Sequence, residues 1–160
     1  MKKILMMLIL GTLLLTACGM KNDQMTGTDI MVSKAWARSA MMGGNGAAYM
    51  LLKNGTSATD ALSGASSDVA ETVEIHLSQM NADGTMEMIQ QESIALPADG
   101  EVELKPGSYH VMLIGLKQDL KAGDEFSLTL HFKNHENITL TIPVMDAGNM
   151  GGSGMDGHMP

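Results

Sequence analysis

Residues 71–91 read ETVEIHLSQMNADGTMEMIQQ. Val73, Ile75 and Leu77 alternate with Thr72, Glu74 and His76, the period-two pattern of a strand with one apolar and one polar face. Asp83-Gly84 is a turn dipeptide, and the methionine-rich stretch after it folds back as the second strand of a hairpin. If the loop spans about five residues, Met88 falls opposite His76 on the same face; a tighter loop moves the partner by one to three positions.

The same pattern extends in both directions. IMVSKAWAR (30–38), AAYMLLKN (47–54), EVELK (101–105), YHVMLIG (109–115), EFSLTLHF (125–132) and NITLTIPV (137–144) are short apolar-polar segments. Between them lie Gly43-Gly44-Asn45-Gly46, Asn54-Gly55, Asp99-Gly100, Pro106-Gly107 and Ala122-Gly123-Asp124, the punctuation of tight turns. Only 66–72 offers a short stretch compatible with a helical repeat, and no internal repeat is present. Regular short strands with turn signals predict an all-β sandwich or barrel over residues 29–144.

The ends of the chain read differently. Lys2 and Lys3 precede an apolar run from Ile4 to Leu15, long enough for a signal-peptide core but short of the ~20 residues that cross a bilayer. Leu15-Thr16-Ala17-Cys18 looks like a bacterial lipobox, so residues 1–17 are expected to be removed and Cys18 acylated. An ordinary cleaved signal is the alternative. Residues 18–28 then form a polar tether, and 145–160, MDAGNMGGSGMDGHMP, a Gly-, Met- and His-rich tail unable to build a core. The expected location is extracytoplasmic, periplasm or cell surface, with membrane attachment by lipid. Loss of Lys2 and Lys3 takes the net charge from −8 to −10, which argues against nucleic acid as a partner.

Cys18 is the only cysteine, and lipidation would consume it. No disulfide framework or thiolate ligand is then available, and a blue-copper centre, which needs a cysteine ligand, is excluded. Any soft-metal site must use imidazole and thioether. Against that background there are 17 methionines in 160 residues, with aromatic residues at 3%. Some fill core gaps, but the excess calls for another cause. Alternation in 109–115 puts His110 and Met112 on one face, about 7 Å apart at their roots. His76, Met88, His110 and Met112 thus form a set of two imidazoles and two thioethers, which suits Cu(I) over harder ions. Spacing alone leaves open whether the two hairpin-linked strands and the His110 strand are neighbours.

The order His76, eleven intervening residues, Met88, twenty-one more, then His110-x-Met112 resembles the signature of the periplasmic CuA copper chaperone family, PCuAC. AWAR (35–38), AETVEIH (70–76), LKPGSYHVMLIGL (104–116), LKAGDEFSLTLHF (120–132) and ITLTIPV (138–144) carry the likeness across the domain. Many members have Met after the first His, where this chain has Leu77. The resemblance implies a cupredoxin-like Greek-key β-sandwich that binds Cu(I) through those four residues near one end. It further implies delivery toward the CuA site of cytochrome c oxidase, with oxidase subunit II and Sco-type proteins as partners. It also points to a second copper site, for Cu(I) or Cu(II), in the tail at Met150, Met155, His158 and Met159; a featureless low-complexity end is the alternative.

His131 and His135 are expected at the surface, and Trp36 and Arg38 in packing roles. No Ser-His-Asp or paired-carboxylate arrangement stands out, so no enzyme is expected. Copper sequestration or resistance would want the same ligands as delivery. A metal-free envelope β-sandwich lipoprotein for adhesion or assembly is the reading that needs no ligands.

Overall fold

The computed structural model describes residues 29–146; the signal-peptide, Cys18 tether and distal-tail expectations lie outside them. The described chain is all-β, with ten strands: β1 (Ile30–Arg38), β2 (Gly46–Asn54), β3 (Asp60–Ser66), β4 (Ala70–Met80), β5 (Met86–Gln91), β6 (Ile94–Leu96), β7 (Glu101–Leu104), β8 (Tyr109–Leu116), β9 (Glu125–Phe132) and β10 (Ile138–Met145). Their hydrogen-bonded order is β5-β4-β8-β2-β1-β10-β9-β3-β6, with β7 also paired to β2. Antiparallel pairs dominate; the parallel contact is β1 with β10, Ala37 opposite Val144 and Arg38 opposite Met145.

One core joins the two halves of this order. Ala48, Met50 and Leu52 of β2 and Val111 and Leu113 of β8 are fully buried with Leu128 and Leu130 of β9 and Ile142 of β10. Each set has the i, i+2 spacing of a single strand face. At roughly 1.5–3 kcal/mol per buried large aliphatic side chain, this shared face is the main stabilising term of a domain without disulfides.

Two strands escaped the pattern. DALSGAS in β3 contains no β-branched residue and carries Gly64, a poor intrinsic strand sequence; pairing with β9 and β6 makes it one. β6 is three residues long, too short for a period to show. Residues 67–69 form a turn instead of a helical stretch. Asn54, expected only as a turn residue, is a buried hub. Its Nδ2 donates to the carbonyls of Ala58 (2.8 Å), Leu96 (3.2 Å) and Pro97 (3.0 Å), and its Oδ1 accepts from Thr56 N and Oγ1. At Gly115 φ is +64°, and a Cβ there would meet Glu71 Oε2 at 2.8 Å, so only glycine lets β8 pass this point unstrained.

Candidate functional site

β4 lies between β5 and β8, and the register decides which side chains meet. His76 stands directly opposite His110 and Glu74 opposite Met112; Ala47 of β2 flanks Met112 on its other side. Directly opposed residues share a sheet face. The face turned away from the core therefore holds a row Tyr49–His110–His76–Gln90 and, two residues along, a row Ala47–Met112–Glu74. The His76 and His110 ring centroids are 5.9 Å apart, Tyr49 and His110 are 6.3 Å apart, and Trp36 packs on Tyr49 at 4.6 Å. β4 and β8 are thus neighbours, the relation that spacing had left open.

Hydrogen bonding sets the proton on each ring. His110 is 4% exposed, and its Nδ1 lies 3.1 Å from the Ser108 carbonyl. A carbonyl only accepts, so Nδ1 carries the hydrogen and the Nε2 lone pair is left free. Burial lowers the His110 pKa from its ordinary 6.5, and the nearby His76 lowers it further, against the opposing Ser108 hydrogen bond. His110 is a neutral donor at pH 7. His76 Nε2 is 2.7 Å from Glu74 Oε2, which places its hydrogen on Nε2. Its Nδ1 is buried and has no hydrogen-bond partner. A buried polar atom without a partner is costly; in the neutral ring it is the lone-pair nitrogen, with the ring fixed by a carboxylate on the far side. Carboxylate–histidine–metal relays have this arrangement.

The thioethers occupy different settings. Met112 is half-buried beside the histidine pair, whereas Met88 is 56% exposed. The loop between β4 and β5 does have five residues, 81–85, but Met80 pairs with Met86 and Met88 with Ser78. Met88 is therefore diagonal to His76, not opposite it. An antiparallel register keeps the sum of paired residue numbers constant, so placing Met88 against His76 would take a loop two residues shorter. Face parity survives the correction. On a flat sheet with ~4.8 Å between strands and ~3.4 Å per residue, the Met88 and Met112 Cα atoms would be roughly 17 Å apart. His76, His110 and Met112 are assembled; Met88 reaches them only by moving with its edge strand.

Among the described residues no three His, Cys, Asp or Glu side chains converge on a metal position. The neighbouring side chains able to complete a shell at the histidine pair include the Met112 thioether, a donor that favours soft cations. A groove of about 650 Å³ lies elsewhere, lined by Trp36, Arg38, Leu51, Lys105, Pro106 and Met145. His131 Nε2 meets Ser66 Oγ at 2.9 Å, and His135 meets Asp29; both rings are half-buried. Met150, Met155, His158 and Met159 lie outside the described residues. Glu74 and Tyr49 are the site residues that sequence reading missed. β4 parity already put Glu74 on the His76 face, but its bond to the ring needed coordinates.

The family described as "Putative lipoprotein LpqE-like" matches residues 30–144. "Putative lipoprotein Lxx21020" of Leifsonia xyli subsp. xyli is 36% identical over 118 residues, 73% of this chain and 70% of that protein. Among solved structures, the "Copper-bound PCuAC domain from PmoF2" superposes with a TM-score of 0.62 at 25% identity, over 74% of this chain and 93% of that one. The Cu(I) form of DR1885 from Deinococcus radiodurans gives 0.54 at 28% identity, over 72% and 79%. The expected cupredoxin-like β fold is the fold observed.

Proposed function

The chain belongs to the LpqE-like family, and from that premise we propose that it is a copper metallochaperone that holds Cu(I) through His76, Met88, His110 and Met112. One observation carries the reading. Two histidines face each other across adjacent strands, each with its proton committed elsewhere, His76 to Glu74 and His110 to Ser108. The lone pairs left over are His110 Nε2 and the partnerless, buried His76 Nδ1. The copper-bound relatives of the same fold support copper as the ligand.

All four donors are neutral, so a bound Cu(I) keeps its single positive charge and is not locked in by thiolate. Met112, beside the pair, supplies the first sulfur. Met88 closes the set from the edge strand, and its exposure favours transfer over storage, because the last donor to arrive is also the first a recipient can displace. With Cys18 acylated, the domain works outside the cytoplasm on a short tether. Delivery toward the CuA site of cytochrome c oxidase, through subunit II or Sco-type proteins, is the role that the resemblance to PCuAC domains implies and that the exposed Met88 favours, since the ligand types alone would serve sequestration equally.

Cu(I) titration against a competing chelator, in deoxygenated buffer, should give one tight equivalent that is lost in His110→Ala and weakened in Met112→Leu. X-ray absorption should count both nitrogen and sulfur ligands. Unchanged affinity in both variants would remove the site. Gene deletion separates the roles: lost oxidase activity restored by added copper means delivery, whereas copper sensitivity with intact oxidase means sequestration.

A further inference from the structure

β5 ends the strand order, and exposed edges ordinarily carry charge or proline to prevent pairing with another chain. Here Glu87 supplies the charge on one face of the ribbon formed by β4 and β5, and the other face carries methionine. Met80 and Met86 are directly opposed at its tip, and Met88 follows two residues along on the same face. All three are exposed, at 67%, 51% and 56%. Opposed Cβ atoms lie about 5 Å apart, and i, i+2 roots about 7 Å. Three flexible thioethers on one two-stranded ribbon can therefore converge on one ion.

The same face continues from Ser78 opposite Met88 to His76 opposite Gln90. From the tip to the histidine pair it bears no carboxylate or ammonium. Glu87 and Ile89 fall on the other face. Such a surface offers nothing to a hard cation and has no proton to exchange, but it is a run of donors for a soft one.

We propose that Met80, Met86 and Met88 form a second, weaker Cu(I) site at the hairpin tip, sharing Met88 with the histidine site. Cu(I) lands on Met80 and Met86, takes Met88 as third ligand, and passes inward when Met88 swings toward His76. Each transfer exchanges one neutral donor for another, so no proton or electron is released or consumed. The inward step rests on the copper reading above; the thioether site itself does not.

The test is a titration of full-length protein carrying ¹³C-methyl methionine, with Ag(I) as a redox-inert stand-in for Cu(I), followed by NMR. Met41 and Met42, also exposed at 78% and 66%, are an internal control. They are consecutive on a turn after β1, without an opposed strand to fix them. The Met80 and Met86 methyls should move together along one isotherm, with Met88 responding both to it and to the tighter step that moves Met112, and should saturate at about tenfold lower Ag(I) than Met41 and Met42, because two strands hold the donors at high effective concentration. In Met80→Leu/Met86→Leu, a volume-conserving change, Met88 should lose its weaker step and keep only the tighter one that it shares with Met112. Met80 and Met86 methyls that stay still, or that titrate no better than Met41 and Met42, overturn the proposal. Failure of the histidine site would appear separately, as unmoved Met112 methyl and His76 and His110 ring signals.

Discussion

Replacing Glu74 by alanine tests which nitrogen of His76 receives copper. Glu74 Oε2 is 2.7 Å from Nε2, and Nδ1 is the buried nitrogen without a partner. If Nδ1 is the ligand, Glu74 orients the ring from behind and raises its basicity, and losing such an outer partner costs about 10–100-fold in metal affinity. That is roughly 1.4–2.8 kcal/mol. If Nε2 were the ligand, Glu74 would compete with copper, and its removal would tighten binding. The two geometries thus predict opposite signs. The His76 and Glu74 side chains are 12% and 25% exposed, so Glu74→Ala also leaves a largely buried ring N–H without its acceptor and should cost about 1–3 kcal/mol of stability, read separately by thermal unfolding of the apo variant. Competition against a chromogenic Cu(I) chelator reads the affinity. Glu74→Gln, which keeps an acceptor oxygen, should fall between wild type and Glu74→Ala. Affinity equal to or above wild type in Glu74→Ala would refute the assignment of Nδ1.

Other expectations follow from the same contacts. His110→Ala should abolish tight copper binding and also lower stability by about 1–3 kcal/mol, since it empties a buried position; His110→Gln, with the ring gone but volume retained, should lose binding with less loss of stability. Asn54→Ala leaves the Ala58, Leu96 and Pro97 carbonyls without their donor and should cost about 2–4 kcal/mol in urea unfolding, with no change in copper affinity for the remaining folded protein. The Asp29–His135 contact should make stability pH-dependent. Burial alone would lower the His135 pKa, but the Glu136 carbonyl, Asp29 and Asp60 together raise it above 6.5. The stability it contributes is full below 6.5 and fades as pH rises through the elevated value. The His135 hydrogen bond lowers the Asp29 pKa below 3.8, so that contribution is full above 3.8 and fades in stronger acid. The stability advantage of wild type over Asp29→Asn, read from unfolding midpoints, should therefore shrink as pH rises above 6.5 and His135 loses its proton.

Much of the sandwich was legible because each strand face carries its own periodicity. β1 and β9 match the segments read as IMVSKAWAR and EFSLTLHF residue for residue. β3 was hidden because Ala, Ser and Gly carry no strand signal of their own, and β6 because three residues cannot display one. The donor types were equally plain: the sequence holds one cysteine, Cys18, outside the described domain, so soft-metal chemistry there had only imidazole and thioether to use.

Parity is a local property, so the chain alone decided that His76, Met88, His110 and Met112 face away from the core. Register and strand order are not local. They depend on which strands bury the most apolar surface together and on how many residues the turn consumes. Only the tertiary structure could therefore set His76 against His110, move Met88 to Ser78, and bring Glu74 to the ring. A side chain's face follows from its neighbours in sequence, but its partners follow from the packing of strands distant along the chain.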